Sequence, residues 1–117
     1  MQSEFKSAGE LYWCQFPLSD KIDKSKKRPV VIISAQESNK LDDDYIVLPI
    51  TRTVRSDSFS VLIQPTDILE GLKIEGEIRC NKPFTVRNTL LLEKIGKLEN
   101  AVTEQAIRLT KQAIHFE

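Results

Sequence analysis

The pattern of apolar and polar positions breaks the chain into short extended runs separated by polar stretches, followed by one helical tail. The first run, residues 10–16, is rich in aromatic side chains and is opened by Gly9. Residues 28–34 carry a Val-Val-Ile-Ile core, the mark of a strand buried on both faces. Residues 45–50 predict a third strand. Residues 59–64 alternate apolar and polar side chains, as a half-buried strand does. Residues 65–69 read as a short helical turn with Thr66 as a cap. Short strands follow at 77–80 and 84–86, broken by Pro83, which has no amide to give a ladder. A further apolar segment covers 90–94. From Thr103 the spacing changes to that of a helix, with Ala106, Leu109 and Ala113 on one line and Ile107 and Ile114 beside it. Thr103 is placed as its cap, and Glu104 falls in the first turn, where the helix dipole favours a negative charge. Between these runs, 17–27, 35–44 and 52–58 are polar and read as exposed loops. Six or seven short strands and one closing helix suit a small, strongly bent β-barrel.

At 117 residues the chain has the length of one domain, 1–117. It contains 17 basic and 17 acidic residues, so any contact with a polyanion must come from a local patch. Such a patch exists at residues 21–28, where Lys21, Lys24, Lys26, Lys27 and Arg28 face a single acid, Asp23. A lysine run of this kind is usually a solvated loop. Arg28 differs, because Pro29 holds its backbone extended at the mouth of the most buried strand. The two cysteines, Cys14 and Cys80, lie in apolar runs too far apart for a zinc motif, and are expected as buried thiols in a reducing compartment. The first ten residues do not form a signal peptide, and the longest apolar run is four residues, so neither secretion nor a membrane span is expected and the location expected is cytoplasmic.

The chemistry available is narrow. His115 is the only histidine, which excludes a two-histidine nuclease within one chain. No Gly-rich phosphate loop and no metal-ligand spacing occurs, so neither metal nor other cofactor is expected. Arginine, lysine, hydroxyl and a few carboxylates remain. RNA brings its own nucleophile, the 2′-hydroxyl. Its cleavage needs a base, cationic stabilisation of the phosphorane and an acid for the leaving oxygen. Candidate groups are Arg28, Thr51 in Pro49-Ile50-Thr51-Arg52, and Arg79 in Arg79-Cys80-Asn81-Lys82-Pro83. An arginine inside a short strand either lies on the solvent face or points into a site. Asn81, two residues on, shares the face of Arg79 by strand alternation, so an arginine and an amide on one face could read phosphate and base edge.

In order along the chain, Gly9-Glu10-Leu11-Tyr12-Trp13, Lys27-Arg28-Pro29-Val30-Val31-Ile32-Ile33-Ser34, Leu48-Pro49-Ile50-Thr51, Gly76-Glu77-Ile78-Arg79-Cys80-Asn81-Lys82-Pro83-Phe84-Thr85-Val86 and Ile95-Gly96-Lys97-Leu98 resemble the MazF/PemK (Kid) family of toxin endoribonucleases. The resemblance spans nearly the whole chain. It implies an SH3-like, PemK/CcdB-like barrel working as a homodimer, which cuts single-stranded mRNA at short sequences without a metal. It also implies a cognate antitoxin with an extended acidic segment as partner. By position Arg28 and Thr51 match the arginine and the threonine or serine of the family's cleavage centre, and Arg79 a further arginine of the PemK branch. Where PemK-like members carry an aspartate, this chain has Asn81, which cannot take a proton. Ile22 stands near their loop histidine, Asp23-Lys24 at their Glu-Gln pair, and Phe84 at an arginine. Asp23 is the candidate to replace the missing carboxylate. Lys24, Lys26, Lys27, Arg52, Arg55 and Asn81 are the expected RNA contacts. Two other readings stay open: a barrel that binds RNA or antitoxin without cutting, and a CcdB-like gyrase poison.

Overall fold

A computed structural model describes the backbone of residues 5–18 and 21–117, and the side chains of these except 17–18 and 21–25. Eight strands form one strongly curled antiparallel sheet: β1 (Glu10–Leu18), β2 (Lys21–Ile32), β3 (Asp44–Thr51), β4 (Ser60–Ile63), β5 (Ile68–Gly71), β6 (Gly76–Arg79), β7 (Phe84–Arg87) and β8 (Leu91–Leu98). The strands run in the order β4-β6-β3-β2-β1-β8-β5, with β7 also paired to β3. Helix α1 (Gln36–Asp42) follows β2, and α2 (Asn100–Ala113) closes the described chain. The mainly β barrel with a C-terminal helix matches the expectation.

The Val-Val-Ile run is buried on both faces of the sheet, which is why it does not alternate. Val31 packs with Leu11, Leu48, Ile50, Ile78 and Leu98 on one side. Val30 and Ile32 pack with Tyr12, Cys14, Tyr45, Val47 and Val86 on the other. Both thiols are fully buried and unbonded to each other, and burial alone pushes the Cys14 thiol up to about 11. Where β5 crosses β8, Gly71 and Gly96 lie opposite each other, Gly71 with φ +103°. A Cβ on either would stand 2.0 or 2.1 Å from a facing carbonyl oxygen, so only glycine fits the crossing.

Several local expectations are corrected. The polar stretch 17–27 is not an open loop: its described backbone continues the β1–β2 hairpin, with Phe16 opposite Lys26. Within 35–44 lies α1, held by a polar residue. Asn39 is fully buried because its amide donates to the carbonyls of Ser34 and Lys6 while Ser34 donates to its oxygen. In the 65–67 turn Asp67, not Thr66, supplies the cap, accepting the Gln64 N–H at 2.7 Å. Helix α2 starts three residues before Thr103, so Thr103 is interior and Glu104 lies beyond the first turn.

The buried line of α2 is Thr103, Ala106 and Thr110, while Ala113 is exposed. Threonine is tolerated there because each hydroxyl finds a carbonyl: Thr103 donates to Glu99 O at 3.1 Å, and Thr110 to Cys80 O at 2.8 Å and Ala106 O at 3.0 Å. Among the described residues no helix is long and apolar enough to cross a membrane.

Candidate nucleic-acid interface

The site begins with a fork between two strands. Residues Val30, Val31 and Ile32 of β2 pair with Pro49, Leu48 and Val47 of β3. There the shared ladder ends. Strand β2 runs on beside β1, while β3 stays paired on its other edge through Ile50–Ile78 and Thr51–Glu77. The cause is local. The carbonyl of Ile32 faces β1, where it accepts from Gly9, and the amide of Ile33 faces β3, where it donates to Ile46. Alternation along β2 turns the backbone of residue 29 toward β3. The next rung would need its N–H, and proline has none.

Had the register continued, Arg28 would stand opposite Thr51, and Lys27 opposite Arg52. Arg28 is two residues from Val30 and Thr51 two from Pro49, so both project to the same face as that last pair. The divergence turns this unmade ladder into a groove of roughly 1150 Å³. Its walls are residues 26–29 of β2 and residues 50–54 after the fork. Leu62 to Pro65, Leu72 to Gly76 and Trp13 complete it.

The groove unites most of the described candidates. Lys26, Lys27, Arg28, Thr51 and Arg52 line it together. Thr51 Oγ1 accepts the Thr53 N–H at 3.2 Å, which fixes the hydroxyl and leaves its proton to donate outward. Arg28 is exposed, and no ion pair to it exists among the described residues. Lys27 reaches across the sheet to Glu93 at 3.2 Å, an exposed pair of small energetic weight. The connection 72–76 brings Lys73 and Glu75, neither of which the sequence singled out. Five cations thus face one carboxylate, and Trp13, Val54, Leu62 and Ile74 add apolar surface. The exposed Val54 and Leu62 at its edge were likewise legible only as ordinary loop and strand residues.

Three expected contacts lie elsewhere. Arg79 is buried, with only 7% of its surface exposed. Its guanidinium donates to Glu77 Oε1 and Asp57 Oδ2, both at 3.1 Å, and to Ser60 Oγ at 2.7 Å. The amide of Arg55 donates to the Glu77 carboxylate, at 3.1 Å to one oxygen. Asn81 does not share a face with Arg79, because β6 ends at Arg79 and a turn closed by Lys82 N–H to Arg79 O reverses the chain. Asn81 is exposed on that turn. The side chains of Asp23 and Lys24 lie outside the described residues. His115 sits by Arg108 and Lys111 on the tail of α2, apart from the groove.

Fold and groove together define a small curled barrel that opens one cationic cleft where two central strands part. The sequence profile described as the PemK-like, MazF-like toxin of type II toxin-antitoxin systems matches residues 7–113, and the chain belongs to this family. No curated protein sequence matches it. Solved structures share the fold. An endoribonuclease in complex with its cognate antitoxin, from a mycobacterial species, superimposes with a TM-score of 0.75 at 18% identity, over 96% of this chain and 99% of that one. MazF in the MazE–MazF complex of Deinococcus radiodurans gives 0.77 at 15% identity, over 94% and 96%. The Mycobacterium tuberculosis toxin MazF-mt6 gives 0.68 at 23% identity, over 89% and 94%.

Proposed function

We propose that the chain is the toxin of a type II toxin–antitoxin pair and acts as an endoribonuclease on single-stranded mRNA, cutting at short sequences through the 2′-hydroxyl. The observation that carries this reading is the fork, which sets Arg28 and Thr51 on one face at the mouth of a cationic groove. The guanidinium of Arg28 binds two phosphate oxygens and stabilises the charge that grows on the phosphorane. The hydroxyl of Thr51 donates to the scissile phosphate and holds it in place. Lys26, Lys27, Arg52 and Lys73 track the flanking phosphates, and Trp13 offers a face on which a base can stack. Glu75 is the one carboxylate among the described lining residues, which makes it the side chain to test as the base beside Asp23.

The same walls suit an antitoxin segment that is extended and acidic, with apolar side chains to cover Val54 and Leu62. RNA and antitoxin then exclude one another. The active form on this reading is a homodimer.

The test is incubation of purified, antitoxin-free protein with a long single-stranded RNA in EDTA, beside Arg28→Ala and Thr51→Ala. Discrete fragments from the wild type that are lost in both variants are expected. Intact RNA from well-folded wild type would instead favour a barrel that binds without cutting. Wild-type cleavage by Arg28→Ala would remove Arg28 from the centre.

A further inference from the structure

Glu77 is 1% exposed and lies in the middle of a short central strand. A charge in that position is costly unless it is fully met. It is met from the loop 52–58. The backbone amides of Arg55 and Ser56 donate to its carboxylate, Ser56 at 3.0 Å and with φ +53°, and Arg79 donates from the same strand. Arg79 holds the other end of the loop through Asp57, whose second oxygen also caps Phe59 N–H at 3.0 Å and takes the Ser60 hydroxyl at 2.8 Å. Three residues of the loop, Arg55, Ser56 and Asp57, are therefore held by one buried pair, Glu77 and Arg79. The residues just before it, Arg52, Thr53 and Val54, form a wall of the groove.

We infer that Glu77 and Arg79 are positioning residues that clip the 52–58 loop and so decide which RNA sequences the groove accepts. Neither touches the substrate. The clip acts through the loop, by keeping Arg52 and Val54 where a nucleotide next to the scissile phosphate must pass. This inference rests on the reading of the groove as an RNA cleft. It also separates Arg79 from Arg28: the two arginines do different work, one in the groove and one behind its wall.

The experiment compares wild type, Glu77→Gln, Arg79→Lys and the milder Asp57→Asn, which keeps the buried Glu77–Arg79 pair. Two readouts are taken on each: amide exchange by NMR, and the cleavage sites and rates on a long RNA. The expected result is loss of protection at Arg55 and Ser56 with the β1–β2–β3 core amides unchanged. Cleavage sites shift with it, and KM at the wild-type site rises on the order of tenfold while kcat changes less. Asp57→Asn gives the smaller shift in the same direction. A purely structural clip would lower the melting temperature with the wild-type fragment pattern intact, and that result overturns the inference. So does unchanged protection at Arg55 and Ser56 in Glu77→Gln. Wild type that cuts no RNA overturns the reading of the groove itself, and this assignment with it.

Discussion

Replacing Thr110 by valine tests what seats the closing helix on the barrel. The Thr110 hydroxyl is buried and donates to the carbonyl of Cys80 at 2.8 Å, across 30 residues of sequence. Cys80 lies one residue past the end of β6, so its carbonyl is outside the ladder and the helix supplies the donor. Valine keeps the shape and has nearly the helix propensity of threonine. It removes the one donor and leaves a buried acceptor, which costs about 1–3 kcal/mol. The extra methyl returns about 0.8 kcal/mol of burial at most. The net loss is then about 0.2–2 kcal/mol, a fall of up to roughly 10 °C in melting temperature for a chain of this length. Thr110→Ser is the control: it keeps the hydroxyl and loses only a methyl, about 0.8 kcal/mol. Thermal and urea unfolding followed by circular dichroism would give both values. A valine variant as stable as wild type, with serine the worse of the two, would show that the helix is held only by the apolar contacts that its own Val102, Ala106 and Leu109 make with the barrel core, and would refute the reasoning.

The buried charge behind the groove predicts a pH dependence. Burial alone would raise the Glu77 carboxyl, but the amides of Ser56 and Arg55 and the Arg79 guanidinium outweigh it and leave it below the ordinary value. Asp57 is lowered as well, chiefly by Ser60 and the Phe59 amide. The stabilisation is therefore complete above the unfolded carboxylate range, about pH 4–5, and is lost as pH falls through the lower folded values. Unfolding free energy measured from pH 7 down to pH 3 should fall for wild type and stay flatter for Glu77→Gln; parallel curves would contradict this. The fork predicts that Pro29→Ala restores a donor facing Ile50, extends the β2–β3 ladder by a rung and narrows the groove. The new amide at position 29 should be protected from exchange and RNA cleavage should drop, whereas an unprotected amide with full activity would mean that proline does not open the fork.

The strands were legible because their side chains report burial directly: the Val-Val-Ile run, the alternation in β4, the Pro83 break. The helix α1 was not, since a seven-residue element held by Asn39 has no apolar periodicity to read. The groove was half legible. Arg28 stands out by its place before Pro29 and Thr51 only through the family resemblance, but Lys73 and Glu75 reach it only because β5 and β6 bring their connection to the same mouth. Arg79 was the instructive case. An arginine in a short strand leaves two readings open, solvent or site, and neither applies. Its partners stand 2, 19 and 22 residues away in sequence, and no local pattern announces that a Glu, a Ser and an Asp will meet its donors.

A neutral chain can present a positive cleft only if most of its acids lie elsewhere, and four of them are tied to basic partners. Glu77 and Asp57 are tied to Arg79, Glu93 holds Lys27 from across the sheet, and Glu10 takes Lys94. What lines the groove is five cations, of which Lys27 alone is paired to an acid, Glu93, together with Glu75, drawn from three separate stretches of sequence. Their field is short-ranged, since at physiological salt it is screened within about 8 Å, so the groove attracts an anion that is already close and extended rather than steering one from afar. A phosphate backbone and an acidic peptide satisfy that requirement equally. Discrimination between them must then come from the parts that are not charge: the indole face of Trp13, the apolar wall of Val54 and Leu62, and the loop that Glu77 holds in place.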